Sequence, residues 1–505
     1  MDGQRKAELE ALLADGVEPY PYSYQRSHGA KDVVADFGAL EGRTSSVAGR
    51  IIMKRSFGKL VFVHIQDSSG RLQVFAKEDG IGADKLAEFD KLQLGDFIGV
   101  KGKVAKTKKG EISVEAAEFT LLAKALRPMP EKFHGLGDTE TRYRKRYLDL
   151  IANPEVASIF RKRALIVRTV REYLDGEGFL EVETPVLQQL YGGAAARPFV
   201  TRHNALKTDL YLRIADELYL KRLIVGGLER VYELSKDFRN EDIDSAHNPE
   251  FTMLEFYEAY ADYEGMMRRA EDIFSKVCQA INGGSEAPFK GRHVSFKPPF
   301  ARVSLVNAIA DKAGVDVLSW KDDADALAAA GRLGLKVSKP TRAHVVDALF
   351  DAHVKPGIWD PTFVTDYPEF MCPLTKRKRG DERLAERFEL YVAGEECANA
   401  YSELTNPLEQ RLKFEQQAEE RRRGDEEAQP FDEDFLEAME YGMPPTGGIG
   451  IGIDRITMIF TGQESIKEVI LFPSMRPLAG KKKAEKQSET PEVRRKGAKA
   501  SGKSS

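Results

Sequence analysis

Two alternating stretches, VYELSKDFRNE and EFTMLEFYEAY, follow each other with only a polar loop between them, and this constrains the fold more than any other feature of the chain. Strand side chains repeat every two residues. Glu233, Ser235, Asp237, Arg239 and Glu241 therefore share one face of the first stretch, and Phe251, Met253, Glu255 and Tyr257 share one face of the second. The loop is too short for the helix of a parallel crossover, so the two strands pair antiparallel. RFELYVAGEECANAYSEL, Arg387 to Leu404, reads as another hairpin that turns near Ala393 and Gly394. Successive strands with no helix between them predict an α+β domain, an antiparallel sheet flanked by helices, over a doubly wound one.

The chain has 505 residues, 42% hydrophobic and 31% charged, enough for more than one core. It has no apolar run of about 18 residues, and its polar start, MDGQRKAELEALLADG, lacks a signal peptide's apolar centre, so we expect a cytoplasmic protein that does not span a membrane. Cys278, Cys372 and Cys397 form no CxxC pair, which argues against a thiolate zinc site or a disulfide framework. The formal charge of -4 excludes nucleic-acid binding through global charge, though not through a local patch.

Five sections follow from patterning. Residues 1–44 carry a helix and a Pro-rich link. Residues 45–125 hold five short strands with one helical stretch between the third and fourth, which fits an oligonucleotide-binding (OB-fold) β-barrel. A basic, aromatic linker spans 126–153. Residues 154–478 form the larger domain, opened by an amphipathic helix from about Pro154 to Glu177 and carrying a helix-rich insert at about 263–356. Residues 479–505, rich in Lys, Arg and Ser, are expected to be a disordered basic tail that either adds affinity for RNA phosphates or serves solubility alone.

Three clusters carry the chemistry. Glu255 lies between Leu254 and Phe256, and burying a carboxylate there is expensive unless a cation pairs with it. A ligand or an internal arginine would serve equally. In the hairpin, Glu389 lies on the first arm, and Asn399, Tyr401 and Glu403 alternate on the second; this pattern builds either a polar pocket or a solvent-facing edge. Glu396 has the opposite parity, so it joins them only through a bulge or a later turn. GGIGIGIDRITMIF, Gly447 to Phe460, alternates glycine with isoleucine, leaving one face open to a flat ligand, and Arg455 begins a helix. It has neither the GxGxxG spacing nor the Walker lysine.

In this order the segments resemble the three signature motifs of class II aminoacyl-tRNA synthetases, from about Pro19 to Pro477. GFLEVETPVL, with Pro185, resembles motif 1; FRNE followed by HNPEF resembles motif 2; GIGIGIDR resembles motif 3. The barrel ahead of such a domain is similar to the lysine, aspartate and asparagine subgroup. GGAAARPF, HNALKTDLYLRIADELYLKRL, RYRKRYLDL and ILFPSMRP are similar to lysyl members. Independently of the resemblance, Glu255, Tyr257 and Glu403 suit an ammonium at the end of an apolar stem, where an aspartate pocket would want arginine or lysine.

The resemblance implies a lysine–tRNA ligase with ATP, L-lysine and tRNA(Lys) as substrates, Mg²⁺ as cofactor and a homodimer formed through motif 1. It implies that Arg239 holds the lysine carboxylate and the α-phosphate. Glu241 would contact the adenine side, His247 and Phe251 would bind ATP, and Arg455 would reach the γ-phosphate. Glu389 and Glu396 would ligate Mg²⁺, and Gly193, Glu217, Asn399, Tyr401 and Glu403 would line the lysine site with Glu255 and Tyr257. In the barrel, Arg55, Phe62 and Gln73 match positions that read the anticodon. Ala246 stands where bacterial members commonly carry arginine. Three rivals remain: an aspartyl or asparaginyl enzyme, a ligase that attaches lysine to a protein, whose known members lack the barrel, and a catalytically silent tRNA-binding paralogue.

Overall fold

The computed structural model describes residues 2–129, 136–423 and 428–478, in two compact units divided between Gly135 and Leu136. The tail expected over 479–505 lies outside the described residues.

In the first unit the strands Thr44–Ser56, Leu60–Gln66, Arg71–Lys77, Phe97–Lys106 and Ile112–Ala123 close into a barrel. The first strand pairs with both the second and the fourth, and the third runs parallel to the fifth. Alternation drives closure: Val61, Val63 and Ile65 point inward and are essentially inaccessible, while Phe62 and His64 between them point out. Helix Ala83–Asp90, between the third and fourth strands, packs Leu86 and Phe89 into the same core.

The second unit is built on a nine-stranded sheet. Its central strands, in spatial order Thr362–Pro368, Asp381–Val392, Glu395–Ser402, Thr446–Gly452, Glu250–Ala259 and Arg230–Phe238, are all antiparallel. Parallel pairing occurs only at the two edges, with Ala301–Ser304 and with Leu180–Glu181. One face supplies Leu254, Phe256, Phe388, Leu390, Ala398, Ala400, Ile449 and Ile451 to the main core, against helices Val156–Gly176, Tyr263–Asn282 and Ile453–Thr461. RFELYVAG is thus an interior strand, which removes the solvent-edge alternative.

The insert is not wholly helical. Helix Tyr263–Asn282 packs into the main core, the strands Glu286–Phe289 and Arg292–Ser295 form a hairpin, and Ala301–Ser304 is an edge strand of the main sheet. These strands are only four residues each, too short to show an alternation. The remaining helices pack Ile309, Val345, Val346 and Leu349 over Val364, Tyr367 and Tyr391, roofing one end of the opposite sheet face. No helix among the described residues is long and apolar enough to cross a membrane.

Candidate active site

On the face away from the main core, strand register lays out two rows. Glu389, Asn399, Gly450, Glu255 and Glu233 stand side by side on five adjacent strands. Arg387, Tyr401, Gly448, Tyr257 and Val231 form the next row. Each row has a glycine at its centre, so the floor drops between two polar walls. A Cβ at Gly450 would meet nothing nearer than Met253 Sδ at 3.7 Å, which leaves that floor open to a ligand. At Gly448 it would collide with the Glu403 carboxylate and the Tyr257 ring, so there the space is taken by the protein's own side chains. A cavity of about 1300 Å³ lies over the rows, and the insert lines its far wall with Thr341, His344 and Asp347.

Hairpin geometry brings Glu396 into this cavity. Ala393 and Gly394 turn the chain with φ of 51° and 80°, and the register then shifts, Leu390 facing Ala398 but Tyr391 facing Glu396. Cys397 is the extra residue of the bulge. One added residue inverts parity, so Glu396 and Asn399 both line the cavity.

At one end of the trough acids crowd together. Glu255 is buried and accepts only the Asp216 N–H at 3.3 Å and the Tyr257 hydroxyl at 3.2 Å. Oxygens of Glu255, Asp216 and Asp237 lie within 4.8 Å of one another. Arg213 is the internal cation, 2.7 Å from Glu233, 3.0 Å from Asp216 and 3.4 Å from Asp237. It satisfies Glu233 and shares itself among three acids, and among the described residues no cation pairs with Glu255. Burial, followed by Asp216, Asp237 and Glu217, holds the Glu255 carboxyl well above its usual range. Burial also pushes Asp237 up to about 6, against the pull of Arg239 and Arg213.

Glu403 departs from expectation. Helix Glu217–Val225 places Lys221 one turn after Glu217, wholly buried, 2.5 Å from Glu217 and ion-paired with Glu403. Glu403 therefore already has a cation, supplied by an element 182 positions earlier in the chain, and it supports the floor without lining the cavity. Gly193 lines the cavity beside Glu217 with φ of 86°, and a Cβ there would fall 2.9 Å from Glu217 Cβ. Only glycine fits.

The other end is cationic. Arg239 lies 5.0 Å from the centroid of the Phe251 ring and donates to the Ile214 carbonyl at 3.4 Å, leaving the opposite ring face for a planar partner. Glu241, just past the strand, is exposed at the cavity rim. Asp244 fixes His247, accepting from its backbone at 2.7 Å and pairing with its Nδ1 at 2.8 Å. Arg455 extends from the first turn of Ile453–Thr461 to the Glu396 carbonyl at 2.6 Å and lies 3.4 Å from His247 Nε2. Glu389 takes the Tyr391 hydroxyl at 2.7 Å and an ion pair from Arg387. Arg213, Lys221 and Arg387 are not identified from the sequence; the strand spacing of Arg387 from Glu389 and the helical spacing of Lys221 from Glu217 are visible in the chain, whereas Arg213 carries no such signal toward Glu233.

The larger unit matches the family model described as tRNA synthetases class II (D, K and N) over residues 138–476, and residues 45–122 match an OB-fold nucleic acid binding domain. The chain is 50% identical over 474 residues to a lysine–tRNA ligase of Carboxydothermus hydrogenoformans, covering 94% of this chain and 97% of that one. It is 52% identical to the lysine–tRNA ligase of Roseiflexus castenholzii, covering 94% and 98%. The chain belongs to the class II tRNA synthetases.

In this synthetase the barrel residues expected to meet an anticodon share one face by register, with Arg55 exposed, Phe62 half-buried and Gln73 buried. Arg55 pairs across strands with Phe62, and Gln73 with His64. Phe57 and Phe75 flank Phe62 at centroid distances of 6.2 and 5.7 Å. Gln73 is held from both ends, donating to Glu111 at 2.6 Å and accepting from Ser113 at 2.9 Å. Phe57 follows Arg55 by two residues at the hairpin turn, whereas Phe75 and Glu111 reach the face only through tertiary pairing, which the chain order does not display.

Proposed function

We propose that this synthetase is a lysine–tRNA ligase, which activates L-lysine with ATP and esterifies it to the 3′ end of tRNA(Lys). The observation that carries the reading is Glu255, a buried carboxylate facing the trough with no cation paired to it among the described residues, in a chain about half identical to lysine–tRNA ligases along 94% of its length. A ligand ammonium supplies the missing charge. An aspartate side chain would add a further anion to this acid cluster, which disfavours the aspartyl reading.

Glu255 and Tyr257 take the side-chain ammonium, with Glu403 behind them holding the charge balance through Lys221. Glu217 and the cleft at Gly193 take the α-amino end. Arg239 neutralises the lysine carboxylate and the α-phosphate, Phe251 stacks the adenine on its free face, Glu241 marks the adenine side, and His247 and Arg455 hold the outer phosphates. The carboxylate is already a nucleophile, so it attacks the α-phosphate in line, giving lysyl-adenylate and pyrophosphate; catalysis here is positioning and charge neutralisation. Glu389 and Glu396 are hard oxygen donors on one cavity wall, near Asp347, against two arginines. That donor set and its residual negative charge fit Mg²⁺, which when bound would offset charge on the phosphates.

The silent-paralogue reading is disfavoured because Arg239, Arg455, Glu389 and Glu396 all converge on one cavity. The reading of a homodimer draws support from Leu180, Val186, Leu187, Leu190 and Val200, apolar residues around motif 1 left 39–60% exposed. A cytoplasmic location, where ATP and tRNA are available, accords with this reading. Arg55, Phe62 and Gln73 meet the anticodon by stacking and edge contacts. The test is charging of a tRNA(Lys) transcript with labelled lysine. Acid-precipitable lysine dependent on ATP and lost in Arg239→Ala is expected, and charging of an aspartate or asparagine tRNA instead would overturn the assignment.

A further inference from the structure

We propose that Arg387 is a positioning residue that couples the amino-acid end of the trough to its metal end, through one guanidinium that holds Asn399 and Glu389 together. The inference rests on the lysine–tRNA ligase reading above. Arg387 stands two residues before Glu389 on the same strand face and directly across from Tyr401. Its guanidinium lies 4.4 Å from the Tyr367 ring centroid and 5.7 Å from that of Tyr401. Nε donates to Asn399 Oδ1 at 3.3 Å, Nη2 pairs with Glu389 Oε1, and Nη1 points to Cys372 Sγ at 3.7 Å.

Two consequences follow from donor chemistry. Arginine can only donate, so Asn399 must turn its carbonyl oxygen to Nε, and its NH₂ then faces the trough as a donor for a carboxylate, not an ammonium. Glu389, held by Nη2 and by the Tyr391 hydroxyl at 2.7 Å, keeps one orientation for a divalent cation. Because the guanidinium is planar and rigid, a shift of Glu389 toward a metal moves the edge that holds Asn399. Ordering either ligand site orders the other, and such coupling is reciprocal. A lysine at this position would keep the charge beside Glu389 without the planar fork.

The experiment is a calorimetric titration of L-lysine into the full chain, with and without a non-hydrolysable ATP analogue and Mg²⁺, alongside a Mn²⁺ titration read by electron paramagnetic resonance. The wild-type chain should bind lysine more tightly with the nucleotide present, by roughly fivefold or more. Arg387→Lys should still bind Mn²⁺ and lysine singly while the tightening falls to near one. If that variant does not fold, Arg387→Gln, whose single amide can donate to one partner but not bridge both, serves the same test and should lose the tightening with Mn²⁺ binding retained. Tightening that survives in either folded variant, or a wild-type chain that binds both ligands without it, would overturn the proposal. A wild-type chain that binds neither ligand would overturn the functional reading itself.

Discussion

On the proposed reading selectivity turns on Glu255, because the neighbouring buried acids share internal cations: Glu233, Asp216 and Asp237 share Arg213, and Glu217 and Glu403 share Lys221. Losing one partner of a buried charge pair costs about 2–5 kcal/mol. Glu255→Gln should therefore lower kcat/KM for lysine by roughly 30-fold or more in pyrophosphate exchange, while raising the denaturant midpoint at pH 8, since an unpaired buried carboxylate destabilises the free enzyme. The pH dependence has a definite sign. The folded carboxyl titrates above its ordinary 4.5, so in that window the native chain binds a proton the unfolded chain does not. This group's contribution to stability is lost as pH rises through the folded value, while lysine affinity rises over the same interval as the carboxylate forms. KM for lysine measured from pH 5 to 8 should fall, and Glu255→Gln should flatten the profile.

At the scale of elements, the glycine strand makes a paired prediction. Gly448→Ala pushes a methyl into the Glu403 carboxylate and Tyr257 ring and should destabilise the fold by about 1–3 kcal/mol in chemical denaturation. Gly450→Ala has ordinary clearance, so it should fold with wild-type stability and instead raise KM for lysine or ATP. Equal stability loss in both would mean that the open floor at Gly450 is not a ligand surface. Much of this element was legible in the chain: the Gly–Ile alternation, the hairpin turn at Ala393 and Gly394, and the need for a bulge if Glu396 is to join Asn399. The partners of the acids were not. Arg213 follows strand Thr208–Leu212 and Lys221 sits on helix Glu217–Val225, both distant in sequence from Glu233 and Glu403, and only tertiary packing brings them together. Arg387 was in plain view two residues from Glu389, but alternation places a side chain on a face without saying which neighbour it holds.

For the whole molecule, activation and RNA choice belong to separate compact units, so they should fail separately. Phe62→Ala removes a stacking surface worth about 1–3 kcal/mol and should raise KM for tRNA(Lys) by roughly 5- to 150-fold in aminoacylation, with lysine-dependent pyrophosphate exchange unchanged. The barrel was readable almost strand by strand because strands such as Leu60–Gln66 alternate buried with more exposed positions, although Leu72, Gln73, Val74, Phe75 and Ala76 are all buried. The insert was not, because its four-residue strands carry too little pattern to separate from loop. If the acid trough of the larger unit activates lysine, ATP–pyrophosphate exchange by the purified chain will show it, with Mg²⁺ and lysine, aspartate, asparagine or no amino acid in parallel. Exchange that appears with lysine alone is the predicted result; exchange driven by aspartate or asparagine, or none with lysine, would contradict it.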